Sequence, residues 1–147
     1  MELKEAFLQG VQDVLSMFGL EHKFDREAEE AFLTSADPIN ILIGFEQTAK
    51  GNIVLGMNNE AALKIVAKMS GETKETLDPI GKSALAELAN MITGSAISKM
   101  PVNNLVQFTP PTLVCGNQLF LLLSRIKATK LHFLLDGHLV TLAYSIE

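Results

Sequence analysis

The chain has 147 residues, 48% of them hydrophobic and 20% charged, with a formal net charge of -5. That is length enough for one domain with its own core, and the composition is that of a globular protein, not of a disordered chain. The acidic balance and the scatter of the 12 Lys and Arg residues argue against a nucleic-acid partner, which needs clustered cations to neutralise phosphates. No apolar run reaches the roughly 18 to 20 residues of a membrane span.

The start, Met1-Glu2-Leu3-Lys4-Glu5, is acidic and amphipathic. It lacks the basic region and compact apolar region of a signal peptide. A single cysteine, Cys115, excludes an internal disulfide and fits a reducing compartment. A cytoplasmic protein without membrane contact is expected.

Residues 2–18 read as an amphipathic helix. Leu3, Phe7, Val11, Val14 and Phe18 recur at spacings of four, four, three and four, and Gly19 is a plausible stop. Residues 20–37 are ambiguous: Asp25-Arg26-Glu27-Ala28-Glu29-Glu30-Ala31 has helix-forming residues but reads equally as a solvated extended segment entering a sheet. Asp37-Pro38 marks a boundary. Residues 39–46 and 51–57 are rich in β-branched residues and predict two strands, with a turn at Gln47-Thr48-Ala49-Lys50.

Asn58 and Asn59 can cap the next helix, which runs through Leu63, Val66, Ala67 and Met69 and stops at Gly71. Asp78-Pro79 starts the longest helix, since Asp is a good cap and Pro suits the first helical position. Leu85, Leu88, Ile92 and Ala96 form its apolar stripe. It must end near Lys99-Met100, because Pro101 follows. Residues 101–116 read as irregular, with Thr109-Pro110-Pro111-Thr112 rigid and extended. Residues 117–126 and 128–146 predict three more strands, the last two joined at Asp136-Gly137. The order is helix, two strands, two helices, three strands. It favours a single α+β domain with a largely antiparallel sheet.

Few residues carry recognisable chemistry. His22, His132 and His138 have no ligand spacing, and Cys115 stands alone, so no metal site is expected. A two-residue hairpin at Asp136-Gly137 places His132 opposite Thr141 and His138 opposite Leu135, on different faces of the sheet. Ordinary surface or edge histidines are the expectation. Cys115 has no neighbouring His or Lys to lower its pKa. There is no nucleophile elbow, phosphate loop or dinucleotide fingerprint. No second acid near Glu87 completes a glycosidase-like pair.

What remains is Glu87 and Asn90. A spacing of three puts both on one face of the long helix, a turn apart. Ser83, Ala86, Thr93 and Gly94, all small, run beside them. Such a face lets a partner approach closely. Asn is a poor helix former, so one at mid-helix calls for a reason.

The run from Ser83 to Ala96, Ser-Ala-Leu-Ala-Glu-Leu-Ala-Asn-Met-Ile-Thr-Gly-Ser-Ala, resembles the signature helix of the CheC/CheX/FliY family, phosphatases of the chemotaxis response regulator. The resemblance extends to Ile41-Leu42-Ile43-Gly44, to Gly51 through Gly56, to Met69-Ser70-Gly71-Glu72 and to Thr109-Pro110-Pro111. It implies a CheC-like fold over residues 1–147. Some family members carry the motif on two related helices. Here Glu5-Ala6-Phe7-Leu8 is not followed by Asn at the right offset, so one site per chain is expected. That is closer to CheX than to CheC, and it implies a homodimer.

The resemblance also implies roles. The substrate is an aspartyl phosphate on a CheY-type response regulator, which supplies Mg²⁺ and a Lys. Asn90 orients a water in line with the phosphorus, and Glu87 pairs with the partner's Lys. A competing expectation is a scaffold that binds the regulator through the same face without catalysis. A small-molecule sensor with a pocket between helix and sheet is a third, with no convergent polar groups to support it.

Overall fold

A computed structural model describes residues 2–46, 50–100 and 107–146. The elements in chain order are α1 (Leu3–Met17), β1 (His22–Glu30), β2 (Leu33–Ser35), β3 (Ile39–Glu46), β4 (Gly51–Met57), α2 (Asn59–Ser70), α3 (Pro79–Ser98), β5 (Gln107–Phe108), β6 (Thr112–Cys115), β7 (Leu121–Ser124), β8 (Ala128–Leu135) and β9 (His138–Ile146). The main sheet is antiparallel throughout, in the order β1-β8-β9-β4-β3-β5, with β6 also pairing β3. A separate ribbon pairs β2 with β7. The architecture is the expected α+β domain.

The pleat divides the core in two. On one face Ile39, Ile41 and Ile43 of β3, Ile53 and Leu55 of β4, Leu131 and Phe133 of β8, and Leu142 and Tyr144 of β9 pack against the helices. Phe7 of α1 stacks on Tyr144, ring centroids 4.9 Å apart. On the other face a smaller cluster of Leu33, Val54, Ala128 and Ala143 lies under the ribbon.

The local signals act as their chemistry dictates. Asn58 Oδ1 accepts the Ala61 N–H at 2.8 Å and caps α2, which ends at Gly71 with φ 78°. Asp136 and Gly137 take φ of 50° and 82°, the pair of positive values that a tight hairpin turn requires. His132 then faces Thr141 and His138 faces Leu135.

Four expectations need correction or completion. The ambiguous segment 20–37 holds β1 and β2. Its acidic, helix-forming residues form an edge strand because Phe24 packs on Phe133, centroids 5.6 Å apart, and β8 offers a partner along its whole length. The charges then protect the sheet edge. Residues 107–115 are not irregular: β5 and β6 both run along β3, interrupted at Pro110-Pro111, where Pro cannot donate to a ladder. Between them Thr109 holds Gly44 twice, donating its N–H to the Gly44 carbonyl at 2.8 Å and accepting the Gly44 N–H on Oγ1 at 2.9 Å. Within 117–126 the strand is Leu121–Ser124, and it joins β2, not the main sheet. Of the turn expected at Gln47-Thr48-Ala49-Lys50, residues 47–49 lie outside the described residues, whereas α3 ends at Ser98 with Lys99 as its cap, as expected.

Candidate functional site

Helix α3 is held at both ends. Asp78 Oδ1 accepts the Gly81 N–H at 2.7 Å, with Pro79 in the first turn. Lys74 donates to Asp78 Oδ2 at 2.7 Å. The Lys74 bond, then the Gly81 N–H, hold the Asp78 carboxyl below its usual range, so the cap stays ionised. At the other end Lys99 meets Asp13 of α1 at 2.8 Å. In between, Leu85, Leu88, Ala89, Ile92 and Ala96 are buried. Where α1 crosses, a Cβ on Gly10 would lie 3.0 Å from the Ile92 carbonyl oxygen and 3.1 Å from the Ala96 nitrogen. The two helices meet backbone to backbone.

The opposite side of α3 is open. At 100° per residue, positions 83, 87, 90 and 94 share an arc of about 60°. Ser83 and Glu87 are exposed, and Ala86, Asn90 and Gly94 are partly exposed. A Cβ added at Gly94 would meet nothing within 4 Å. A mid-helix Gly costs roughly 0.5–1 kcal/mol relative to Ala, and no packing among the described residues requires it. Thr93 does not belong to this surface. It lies about 60° round the helix from Asn90, on the inward side, and is 1% exposed. Its small size suggested a place on the flat face, but its phase puts it in the core.

Among the described residues, the buried Asn90 Oδ1 has no hydrogen-bond partner. An unmet buried acceptor costs about 1–3 kcal/mol, and nearly all such atoms in folded proteins are satisfied. A half-turn of the terminal amide exchanges Oδ1 and Nδ2 without altering the shape of the side chain. The amide can therefore present either a donor or an acceptor to whatever covers it. Among the described residues Glu87 has no ion-pair partner. Sequence reasoning overlooked Ile80, which is 70% exposed. It is out of phase with the Leu85–Leu88–Ile92–Ala96 stripe, the signal that could have revealed it. Ile80, Ser83, Ala84 and Glu87 line a shallow groove with Met69, Ser70 and Pro79.

Other parts of the chain offer less chemistry. Among the described residues no group of three His, Cys, Asp or Glu side chains could hold a metal ion. Cys115 is exposed on β6. The free space between α1, α3 and the sheet is about 10 Å³ and entirely apolar-lined, too small for a sensed ligand. A groove of about 540 Å³ is lined by Lys64, Lys68 and Lys74, but Lys64 is paired with Asp136 and Lys74 with Asp78.

His132 is not the surface histidine expected of it. It sits on β8 between β1 and β9 and is 7% exposed, with Nδ1 unpartnered among the described residues. Burial, reinforced by Arg26 and Lys130, pushes its pKa below the ordinary 6.5. The unfolded chain therefore takes up this proton first. The stability tied to the neutral ring is complete above the ordinary imidazole pKa and is lost as pH falls toward the lowered native value. Urea denaturation between about pH 7 and pH 5.5 checks this, because His132→Gln removes that part of the pH dependence.

The chain is similar to known proteins in sequence and in fold. The family model described as chemotaxis phosphatase CheX matches residues 39–132, a span that includes Glu87 and Asn90. The CheY-P phosphatase CheX of Thermotoga maritima is 32% identical over 111 residues, covering 74% of this chain and 70% of that protein. The crystal structure of CheX from Desulfovibrio desulfuricans superposes with a TM-score of 0.87 at 19% identity, over 100% of both chains. The CheX-CheY-BeF3-Mg²⁺ complex from Borrelia burgdorferi superposes at 0.80 with 20% identity, over 100% of this chain and 99% of that one. A family match over most of the chain and a relative at that identity lead to one conclusion: the protein belongs to the chemotaxis phosphatase CheX family.

Proposed function

We propose that the chain hydrolyses the aspartyl phosphate of a CheY-type response regulator, with Asn90 and Glu87 as the working side chains. The observation that carries this reading is Asn90 Oδ1, unpartnered among the described residues, one turn from a Glu87 that is likewise unpaired among them, on the open face of a packed helix. A helix fixed by packing places side chains more accurately than a loop does.

An acyl phosphate is already activated. What it lacks is a water held in line with the phosphorus. Attack by that water forms a new P–O bond, and the bond between phosphorus and the aspartyl oxygen breaks. The products are inorganic phosphate and a free aspartate carboxylate. Holding the water in line contributes several kcal/mol. Asn90 suits the task because a neutral amide is not repelled by phosphoryl oxygens, and it resembles the water-positioning Gln of GTPases. It does not titrate, so it orients the water without acting as a general base. Glu87 pairs with the regulator's Lys and fixes the docking register. Ser83, Ala86 and Gly94 keep the surface low enough for that approach.

The regulator supplies the Mg²⁺, which neutralises charge on the phosphoryl oxygens when bound. A solved relative is itself a complex of CheX with CheY, BeF3 and Mg²⁺. A homodimer, implied by the family resemblance, one site per protomer, from the single Glu-x-x-Asn motif, and a cytoplasmic setting, from the lone cysteine, complete this reading.

Steady-state kinetics on a phosphorylated regulator tests the division of labour. Glu87→Ala raises KM about tenfold with kcat changed little. The wild-type rate is nearly flat across neutral pH, since Asn90 has no pKa there. A bell-shaped profile set by this chain would assign the chemistry to a general base instead.

A further inference from the structure

We propose that the groove beside Glu87, lined by Ile80 and Met69, seats an apolar side chain of the receiver domain that carries the aspartyl phosphate, and so sets which regulators the chain binds. This rests on the phosphatase reading and adds a specificity determinant that plays no part in the chemistry. A lone exposed apolar residue would mean little. Ile80 is not alone, because it shares one concavity with Glu87, between the end of α2 and the start of α3. Met69, partly buried, packs its inner side on the core, so the groove has a firm wall.

The geometry commits the partner. Ile80 and Glu87 are seven residues apart on one face, about 10 Å along the helix. A specific interface buries roughly 800 Å² on each partner, so a surface seated on Glu87 must also cover Ile80. Glu87 is the one ionisable group among the residues lining this groove. The matching surface therefore carries a cation with an apolar side chain about 10 Å away. At 70% exposure Ile80 is left largely in water by this chain's own fold. Covering it removes a large apolar side chain from water, which favours binding.

The test uses the whole chain and receiver domains loaded with beryllium trifluoride and Mg²⁺, a stable mimic of the aspartyl phosphate. Calorimetry gives Kd for wild type, Ile80→Ser and Ile80→Leu, and phosphate release from the phosphorylated domains gives kcat and KM. Ile80→Ser weakens binding and raises KM about tenfold, kcat stays within about twofold, and Ile80→Leu restores wild-type values. Unchanged Kd and KM in Ile80→Ser, with wild type active, overturns the groove and leaves the phosphatase reading intact. A tenfold loss of binding with no wild-type phosphate release keeps the groove and removes the catalysis. Wild type that binds none of the loaded domains overturns both.

Discussion

Asn90→Ala slows release of phosphate from a phosphorylated response regulator by on the order of a hundredfold or more, while the protein becomes slightly more stable. The two effects have one origin. Asn90 buries an oxygen that nothing within the described chain satisfies, and it occupies mid-helix, where Asn is poorly suited. Alanine removes the unmet acceptor and is the best helix former, so unfolding costs about 1 kcal/mol more. The same change removes the group that holds the attacking water. Loss of rate with gain of stability is what a side chain retained for function produces. Kinetics and urea denaturation on the one variant check both halves.

Gly10→Val has the opposite character, a large loss of stability from a residue with no chemistry. A Cβ at Gly10 would stand 3.0 Å from the Ile92 carbonyl and 3.1 Å from the Ala96 nitrogen. Both are backbone atoms of α3, so neither can swing aside. Helix α1 must retreat, and the packing of Phe7, Val11 and Val14 loosens with it. Overpacking of this kind costs about 2 kcal/mol, or roughly 6 °C in Tm for a chain of this size. Gly10→Ala costs less, because the gain in helix propensity offsets part of the clash. Thermal unfolding of the two variants checks the order. Residue 92 lies two positions from Asn90 on α3, so the loss of support from α1 there also lowers the phosphatase rate. The two glycines thus do different work: Gly10 admits a helix of the same chain, while Gly94 is open to solvent.

Much of this was legible in the sequence because the signals are local. Asp78-Pro79, Asn58 and Asp136-Gly137 act through atoms within three residues of themselves, and each sits where its chemistry requires. The stripe of Leu85, Leu88, Ile92 and Ala96 announced which side of α3 is buried. What was ambiguous or missed depends on distant partners. β1 is a strand because β8 lies beside it, with Ala28 opposite Lys130. His132 is buried because β8 runs between β1 and β9, which composition does not reveal. At the candidate site, spacing placed Glu87, Asn90, Ser83 and Gly94 together. Judging by size alone added Thr93, which the phase of the helix takes inside. The buried Oδ1 of Asn90 and the exposure of Ile80 are properties of the packed molecule.

Catalysis by this chain is what separates a phosphatase from a scaffold. The most direct measurement is phosphate release from a phosphorylated CheY-type receiver domain in excess over a catalytic amount of the purified protein, with Mg²⁺ present. Many turnovers per chain, with a rate that saturates in receiver domain, are the predicted result. A release rate unchanged by the protein, at concentrations where the complex demonstrably forms, would contradict it and leave a scaffold that binds the regulator without acting on it.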